Sequence, residues 1–525
     1  MKNKTKNTLA YGVVVLTCAN LLVKVIGLVF KIPIQRLIGD EGMGYFNVAY
    51  NIYSWLYLVS TAGFPVALSV LISRENAKGN IANTKTVFKT ALAIFSVIGI
   101  LGCLFMMVFA RDIAEFVEVE NAYLCALAIS PTLLFICISS SVRGYFQGLG
   151  IMTVTAVSQV TESLGKMTFG LLLATYSVSK GYPVYVTAAY AISGVTLGTF
   201  VSMIYCTAAK ALRSPKTKEQ SDIKRAAVFK KLCSIAFPIT VSSSVMGLIN
   251  VIDTVISSSR LQDIGYSAEQ ATEIYGNYTT LAVSLFNMPT VLVYPIAYAV
   301  VPKLTETLTL GKSGKALINS AVKTTAVISL PCAVGLGVLS YSILSLLFPE
   351  GSAQLASPML TMLAPAVFFC AILGITNSVL QASGNEKLPM ISMTAGIVVK
   401  LIASYTLIGV DKIGRFGIPL GTCLSYLVII ILNFIFMCKK TGVVPNFYRV
   451  FVKPAFCAFL CGVCAFAVNG FMPDTKIAVF IPIAAAAAVY AVCICISGTV
   501  NGDDILYLPK GEKIYGILKK IKLVK

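Results

Sequence analysis

The sequence predicts an all-α polytopic membrane protein of about 14 transmembrane helices, arranged as two six-helix lobes plus two extra helices. Of the 525 residues, 57% are hydrophobic and only 12% are charged, which is more apolar side chain than a single soluble core can bury. Apolar stretches of about 20 residues, the length that crosses a bilayer as a helix, follow one another almost from end to end. They leave no room for a soluble domain.

The positions of the apolar stretches define the predicted spans. The first stretch is read as a retained helix and not as a signal peptide, because it is long and no small-residue cleavage site precedes the next span. The predicted spans lie near residues 8–30, 43–72, 87–109, 121–142, 151–176, 183–208, 232–257, 278–302, 324–347, 355–382, 388–410, 416–438, 450–470 and 477–497.

The lysines and arginines fall mainly at the N-terminus and in every second loop, and Arg143 is assigned to one of these loops. Cytoplasmic loops of membrane proteins carry the excess of basic residues, so both termini are predicted to be cytoplasmic and the number of spans to be even. The net charge of +20 then requires no nucleic acid, because inside-positive loops also attract anionic lipids.

Two halves of the chain repeat one another. Phe64–Ala67 precedes a basic residue as Tyr294–Ala297 does, and two spans share a glutamine, a glycine and a lysine at the same spacing: Gln147, Gly150 and Lys166, then Gln381, Gly384 and Lys400. Such duplication is typical of transporters that bind substrate between two repeats. The predicted divisions are an N-terminal lobe (1–210), a basic cytoplasmic linker (211–231), a C-terminal lobe (232–440), two extra helices (445–498) and a basic amphipathic cytoplasmic tail (499–525).

Ionisable residues inside the predicted spans are the candidates for function. An intramembrane charge costs about 2.5–3.5 kcal/mol on insertion scales, so such residues usually face a polar cavity. The predicted substrate-binding residues are the cations Lys24, Lys31, Arg36, Lys166 and Lys400, which would form a cationic cavity for a phosphate-bearing substrate. The predicted polar or ion-pairing residues of the cavity are Glu162, Asp253, Gln147 and Gln159.

Structural roles for these residues stay open. Glu162 and Lys166 are four residues apart, in the order that favours an ion pair within one helix. Lys31 could extend to the membrane interface. Asp253 could pair with Lys24 or Lys400.

Enzyme and metal sites are not indicated. The chain contains no histidine, and it lacks the G-x-S-x-G, Walker and H-E-x-x-H motifs. Most of the fifteen cysteines lie in apolar spans, where a thiol behaves as a small hydrophobic group. We expect no catalytic residue, no metal and no cofactor.

One stretch is specific enough to indicate a family. Ser141-Val142-Arg143-Gly144-Tyr145-Phe146-Gln147-Gly148, here called the 141–148 motif, is followed by Thr155–Gln159 and then by Glu162 and Lys166. This pattern resembles the polysaccharide transporter branch of the multidrug/oligosaccharidyl-lipid/polysaccharide exporter superfamily, in particular the stage V sporulation protein B-like and related lipid II flippases. The opening residues Lys24–Gly44 also resemble MurJ-type flippases.

The resemblance implies fourteen helices in two lobes, a central cavity, and flipping of undecaprenyl-pyrophosphate-linked sugars across a bacterial cytoplasmic membrane. The cationic residues that MurJ-type flippases place on the first helix correspond by position to Lys24, Lys31 and Arg36. Two of these are lysines where that group more often has arginine, which keeps the charge but not the bidentate geometry for phosphate. Val154 stands where the closer branch usually has proline.

Two other functions remain as alternatives. One is a cation-coupled multidrug antiporter, although its cation-coupled members place acids in the N-terminal lobe and the first span here carries lysine and no acid. A cationic cavity also repels cationic drugs. The other is a non-transporting membrane scaffold for wall assembly, which needs no buried lysine. The sequence leaves open which sugar is carried, whether the membrane potential or a monovalent cation drives transport, and whether the role is vegetative or specific to sporulation. A monomer is expected.

Overall fold

A computed structural model describes residues 2–213, 223–289, 304, 307, 314–385, 387–472 and 476–498. Within these ranges the regular structure consists of helices only, and the predicted all-α membrane fold is confirmed. The predicted tail, the middle of the predicted linker and most of the predicted span 278–302, with Tyr294–Ala297, lie outside the described residues.

The chain divides into two compact units, Met1–Gly276 and Asn277–Lys525. The α-helices of the first unit are α1 (Lys2–Thr61), α2 (Phe64–Ala77), α3 (Ile81–Val108), α4 (Ala110–Phe116), α5 (Tyr123–Ile129), α6 (Thr132–Gly148), α7 (Met152–Ser179), α8 (Val184–Arg213), α9 (Arg225–Asp263) and α10 (Ala268–Asn277), of which α10 ends at the first residue of the second unit.

The second unit has a π-helical turn near its start, Tyr278–Ala282, and a second π-turn at Tyr448–Val452. Its described α-helices are α11 (Val283–Asn287), α12 (Lys315–Val338), α13 (Ser340–Leu347), α14 (Glu350–Leu363), α15 (Pro365–Ala382), α16 (Lys387–Ile408), α17 (Gly417–Thr441), α18 (Lys453–Gly470) and α19 (Phe480–Ile496).

Described helices coincide with every predicted span, although only the first part of 278–302 is covered. In the described part of the chain, nine helical segments are long and apolar enough to cross a membrane, and the first of them, Cys18–Ala77, covers two predicted spans. The 28-residue helix α7 is not among the nine, because it carries Glu162, Lys166 and many hydroxyl side chains.

Helix α1 is broken at Gly39, where the backbone adopts φ 69° and ψ −175°. This left-handed region is open to glycine at little cost, whereas a side chain there would be strained. Residues 31–42 separate the first two predicted spans. The structure continues the helix through Pro33 and turns the chain at Gly39.

The two segments that carry the predicted repeat begin with similar turns. The turn before α7 and the turn before α16 each place a glycine at positive φ, 77° at Gly150 and 72° at Gly384. In each turn the glycine N–H donates to the carbonyl of the glutamine three residues earlier, over 2.9 Å to Gln147 and 3.0 Å to Gln381. Lys166 and Lys400 therefore follow equivalent turns at the same distance along their helices.

Helices α9 and α10 pack within the first unit: Leu232 and Ala236 enter its core beside Phe95, and Tyr275 joins the core around Phe46. The compact units thus part after residue 276, at the end of α10, whereas the repeat-based lobes part at 211–231. Assignment of α9 to a C-terminal lobe remains a prediction about the repeat.

Candidate functional site

The charged centre of the first unit is an ion pair between two helices. Nη2 of Arg143, on α6, lies 2.7 Å from Oε2 of Glu162, on α7. The guanidinium also donates from Nε to Ser158 Oγ over 2.8 Å and from Nη2 to Ser202 Oγ, on α8, over 3.0 Å. Arg143 is 7% exposed, so its assignment to a cytoplasmic loop was wrong: it is buried where three helices meet.

The 141–148 motif packs α6 against α2. A Cβ on Gly144 would lie 2.9 Å from the carbonyl oxygen of Pro65, and one on Gly148 would lie 2.7 Å from that of Ser69. Both contacts are closer than real Cβ atoms make, so glycine at these positions lets the two backbones meet. This close packing of α6 on α2 sets the position along α7 that Arg143 contacts.

Lys166 lies one helical turn beyond Glu162 but does not pair with it. Its Nζ lies 4.6 Å from the ring centroid of Tyr50, 5.5 Å from that of Phe30 and 5.8 Å from that of Phe46. Among the described residues Lys166 takes part in no salt bridge. Aromatic faces stabilise a cation through their quadrupole without cancelling its charge, so these three rings form an aromatic cage around a full positive charge.

An aromatic row on α1 extends from this cage to the ion pair. Phe46, Tyr50, Tyr53 and Tyr57 stack in sequence, with ring centroids 5.8–6.2 Å apart. Tyr53 and Tyr57 lie close enough to Glu162 for its charge to act on their hydroxyls. The ion pair and the caged lysine therefore share one aromatic wall.

The predicted cations of the first helix occupy different settings. Lys31 is half-buried and lies close enough to Lys166 for the two charges to repel each other. Lys24 and Arg36 are exposed on α1. The structure thus brings Lys31 and Lys166 together and leaves Lys24 and Arg36 at the surface of the unit.

The remaining predicted residues are dispersed. Gln147 is half-buried at the end of α6 and donates to Thr155 Oγ1 over 3.4 Å, a long hydrogen bond, and Gln159 is half-buried on α7, one turn before Glu162. Asp253 is buried on α9, close to Tyr275. Lys400 is half-buried on α16 of the second unit.

A second polar feature of the first unit is a cavity of about 400 Å³ whose lining includes Tyr45, Glu115, Glu118, Asn121 and Glu269. Its carboxylates are not arranged as metal ligands: among the described residues no group of three or more histidine, cysteine or acidic side chains could hold a metal ion. The cysteines of the described ranges are free thiols, including Cys461 and Cys464.

Sequence reasoning missed the partner of Glu162 and the aromatic cage. The signal for the first was the 141–148 motif, which carries an arginine amid small and aromatic residues. The signal for the second was the spacing of Phe46 and Tyr50, two of the cage rings, which lie with Tyr53 and Tyr57 along one side of a helix.

Comparison with known proteins agrees with this fold. Residues 9–308, more than half of the chain, match the family described as "Polysaccharide biosynthesis protein", and residues 309–406 match the family described as MatE. The lipid II flippase MurJ of Bacillus subtilis (strain 168) is 26% identical over 464 residues, which cover 84% of each chain. Stage V sporulation protein B of the same organism is 24% identical over 519 residues, covering 96% of this chain and 98% of that protein.

A solved structure of a lipid II flippase MurJ in an inward closed conformation superimposes with a TM-score of 0.71 at 16% sequence identity, covering 92% of this chain and 98% of that one. At this identity the likeness shows a shared fold. The resemblance predicted from the 141–148 motif is confirmed. The chain belongs to the polysaccharide biosynthesis protein family, within the multidrug/oligosaccharidyl-lipid/polysaccharide exporter superfamily.

Proposed function

We propose that this protein is a flippase, not an enzyme, that moves an undecaprenyl-pyrophosphate-linked sugar precursor across the bacterial cytoplasmic membrane by alternating access. The observation that carries the proposal is the ammonium group of Lys166, which sits in an aromatic cage on a half-buried helix without a salt-bridge partner among the described residues. The substrate would be lipid II or a similar lipid-linked oligosaccharide, used for cell wall, spore cortex or surface polysaccharide.

The charge of Lys166 carries a free-energy cost. A lysine near the bilayer centre is expensive to insert, and placing Lys31 close to Lys166 adds repulsion. A pyrophosphate would relieve both costs, because it brings at least two negative charges between the two ammonium groups. Electrostatic interactions of this kind are stronger in a site that excludes water.

We propose on sequence grounds that three further residues contact the substrate. Lys24 and Arg36 would meet the pyrophosphate at the surface of the unit, and Lys400 would act as the counterpart of Lys166 in the repeat. The names of the two Bacillus relatives, a lipid II flippase and a sporulation protein, support a lipid-linked sugar as the substrate. We further propose that the protein works as a monomer with cytoplasmic termini.

The MatE match at residues 309–406 favours one second candidate, a cation-coupled multidrug antiporter. A lipophilic cation would have to approach the ammonium group of Lys166, which takes part in no salt bridge among the described residues, and this disfavours the antiporter electrostatically. The two candidates differ in the sign of the transported charge.

Transport by the purified protein in vesicles tests the proposal. Fluorescent lipid II is placed in both leaflets, and a membrane-impermeant quencher reports how fast the protected pool becomes accessible. The flippase should expose this pool faster than protein-free vesicles do, and it should not move ethidium. Ethidium transport without exposure of the lipid would favour the antiporter and contradict the flippase.

A further inference from the structure

The 141–148 motif is the most family-specific part of the sequence, yet its arginine has no part in the proposed transport step. Glu162 has two candidate cationic partners. Lys166 lies one helical turn further along the same helix, and Arg143 lies on the neighbouring helix α6. In the structure Glu162 binds Arg143. Which of the two cations the carboxylate binds decides how much charge remains for an anionic substrate.

We infer that Arg143 is a positioning residue for substrate binding: by holding Glu162, it prevents the carboxylate from neutralising Lys166 and so keeps the caged lysine available to the pyrophosphate. This inference rests on the proposed function and deepens it, since it assigns a role to a residue that we do not expect to touch the substrate.

Arg143 is suited to this role because its position is fixed from three sides. Ser158 and Ser202 accept hydrogen bonds from the guanidinium, and both serines are fully buried. The serines are fixed in turn: Ser202 Oγ donates to the carbonyl of Ser158 over 2.9 Å, and Ser158 Oγ donates to that of Thr155 over 2.7 Å. An arginine also stays charged under all physiological conditions, so its hold on Glu162 does not depend on pH.

Lys166 is held in a way that leaves its charge intact. The rings of Phe30, Phe46 and Tyr50 are neutral, and they attract the ammonium without cancelling it. The charges of Arg143 and Glu162 cancel, so Lys166 keeps its +1 charge for the substrate. If Glu162 turned to Lys166, that charge would be neutralised.

An arginine that only stabilised helix packing would give different experimental results when it is replaced. Its loss would lower stability, and removing the charge of Glu162 as well could restore stability without any particular effect on anion affinity. The positioning role instead requires that anion affinity fall when Glu162 is released and recover when Glu162 is made neutral.

The test measures binding of farnesyl pyrophosphate to the full-length protein in detergent, with farnesol as the uncharged control. Lys166→Gln and Arg143→Gln should each bind farnesyl pyrophosphate about 10- to 100-fold more weakly than the native chain, the loss expected for one charge-assisted hydrogen bond. The double variant Arg143→Gln with Glu162→Gln should recover most of the affinity. Arg260→Gln removes one positive charge from another ion pair of the same unit and serves as the charge-matched control.

Thermal unfolding of each variant shows whether it is folded. If Arg143→Gln does not fold, Glu162→Gln alone decides: it should bind the probe more tightly than the native chain, because one negative charge leaves the site. Weak binding by the double variant, or weakened binding by Glu162→Gln, would overturn the positioning role while leaving the proposed function in place. Absence of binding by the native chain, or full binding by Lys166→Gln, would instead overturn the proposed site and this inference with it.

Discussion

Arg143 and Glu162 stand 19 residues apart on two helices, and their charged groups meet at 2.7 Å. The arginine side chain is 9% exposed and the glutamate side chain 26%, so the arginine is the more buried partner of the pair. Arg143, which the charge pattern assigned to a cytoplasmic loop, is therefore the ion-pair partner of Glu162, which was predicted to lie in the cavity.

Loss of Arg143 should destabilise the first unit. Arg143→Ala leaves Glu162 and the buried hydroxyls of Ser158 and Ser202 without their shared donor, and we expect the free energy of unfolding to fall by about 1–3 kcal/mol. Adding Glu162→Gln should recover part of this loss, because a neutral amide is cheaper to leave without a partner. Thermal unfolding in detergent measures both changes. Equal stability of Arg143→Ala and the native chain would show that the pair contributes nothing.

Lys166 should matter for transport and not for stability. Because Glu162 is held by Arg143, Lys166→Gln leaves no carboxylate without its partner, and it removes an expensive intramembrane charge. We expect the flipping rate in vesicles to fall by about tenfold or more, with no loss of thermal stability, and Lys166→Arg to keep much of the rate because a guanidinium also binds aromatic faces.

Lys78→Gln provides the matched control for Lys166→Gln. Lys78 is also lysine and also lies in the first unit, but its side chain is 67% exposed and pairs with Glu75 over 3.0 Å. Its replacement should leave the flipping rate unchanged. Normal flipping by Lys166→Gln would remove the caged lysine from the substrate site and leave the other predicted cations to carry it.

The helices could be predicted from the sequence because a run of apolar residues long enough to span a bilayer has few other stable states. The repeat of the two halves stays a prediction, which the similar turns at Gly150 and Gly384 accompany. The break near Gly39 was predicted only as a gap between two spans at residues 31–42, because the position of a bend within such a gap depends on how the two segments pack.

The site was predictable only in part. Lys166 and Glu162 stood out because charges are rare in spans, and their spacing of four residues favoured a pair within α7. The pair that forms is between helices, because the packing of α6 on α2 through Gly144 and Gly148 brings Arg143 to α7. Sequence spacing shows neighbours on one helix, whereas partners on different helices depend on packing that no local pattern contains.

The predicted orientation can be tested by labelling single added cysteines with a membrane-impermeant maleimide in intact cells. A cysteine at Glu115 or Asp263, both exposed, should react from outside, because the predicted external loops include 112–120 and 260–275. A cysteine at Arg225 should react only after the cells are opened, as should positions 511–525. Labelling of the unaltered chain provides the background to subtract. The opposite pattern would reverse the membrane orientation on which the direction of transport depends.

The acidic end of α10 should make stability depend on pH. Burial and the nearby charges of Asp40 and Glu41 raise the pKa of Glu273 above its ordinary value. An acid whose pKa is higher in the folded than in the unfolded state binds more protons when folded, so the free energy of unfolding is highest below the unfolded pKa and falls as the pH rises through the folded pKa. Glu273→Gln should remove this decline.

Thermal unfolding of the native chain and of Glu273→Gln, measured side by side from pH 4 to pH 8, checks this expectation. The difference in unfolding temperature should grow in favour of the variant as the pH rises, because only the native chain acquires a third negative charge beside Asp40 and Glu41. Glu269→Gln is the matched control: Glu269 lies one turn earlier on the same helix and is exposed, so its carboxylate stays hydrated and its loss should change the pH profile less. Parallel profiles for the native chain and Glu273→Gln would show that the three carboxylates do not repel one another in the folded protein.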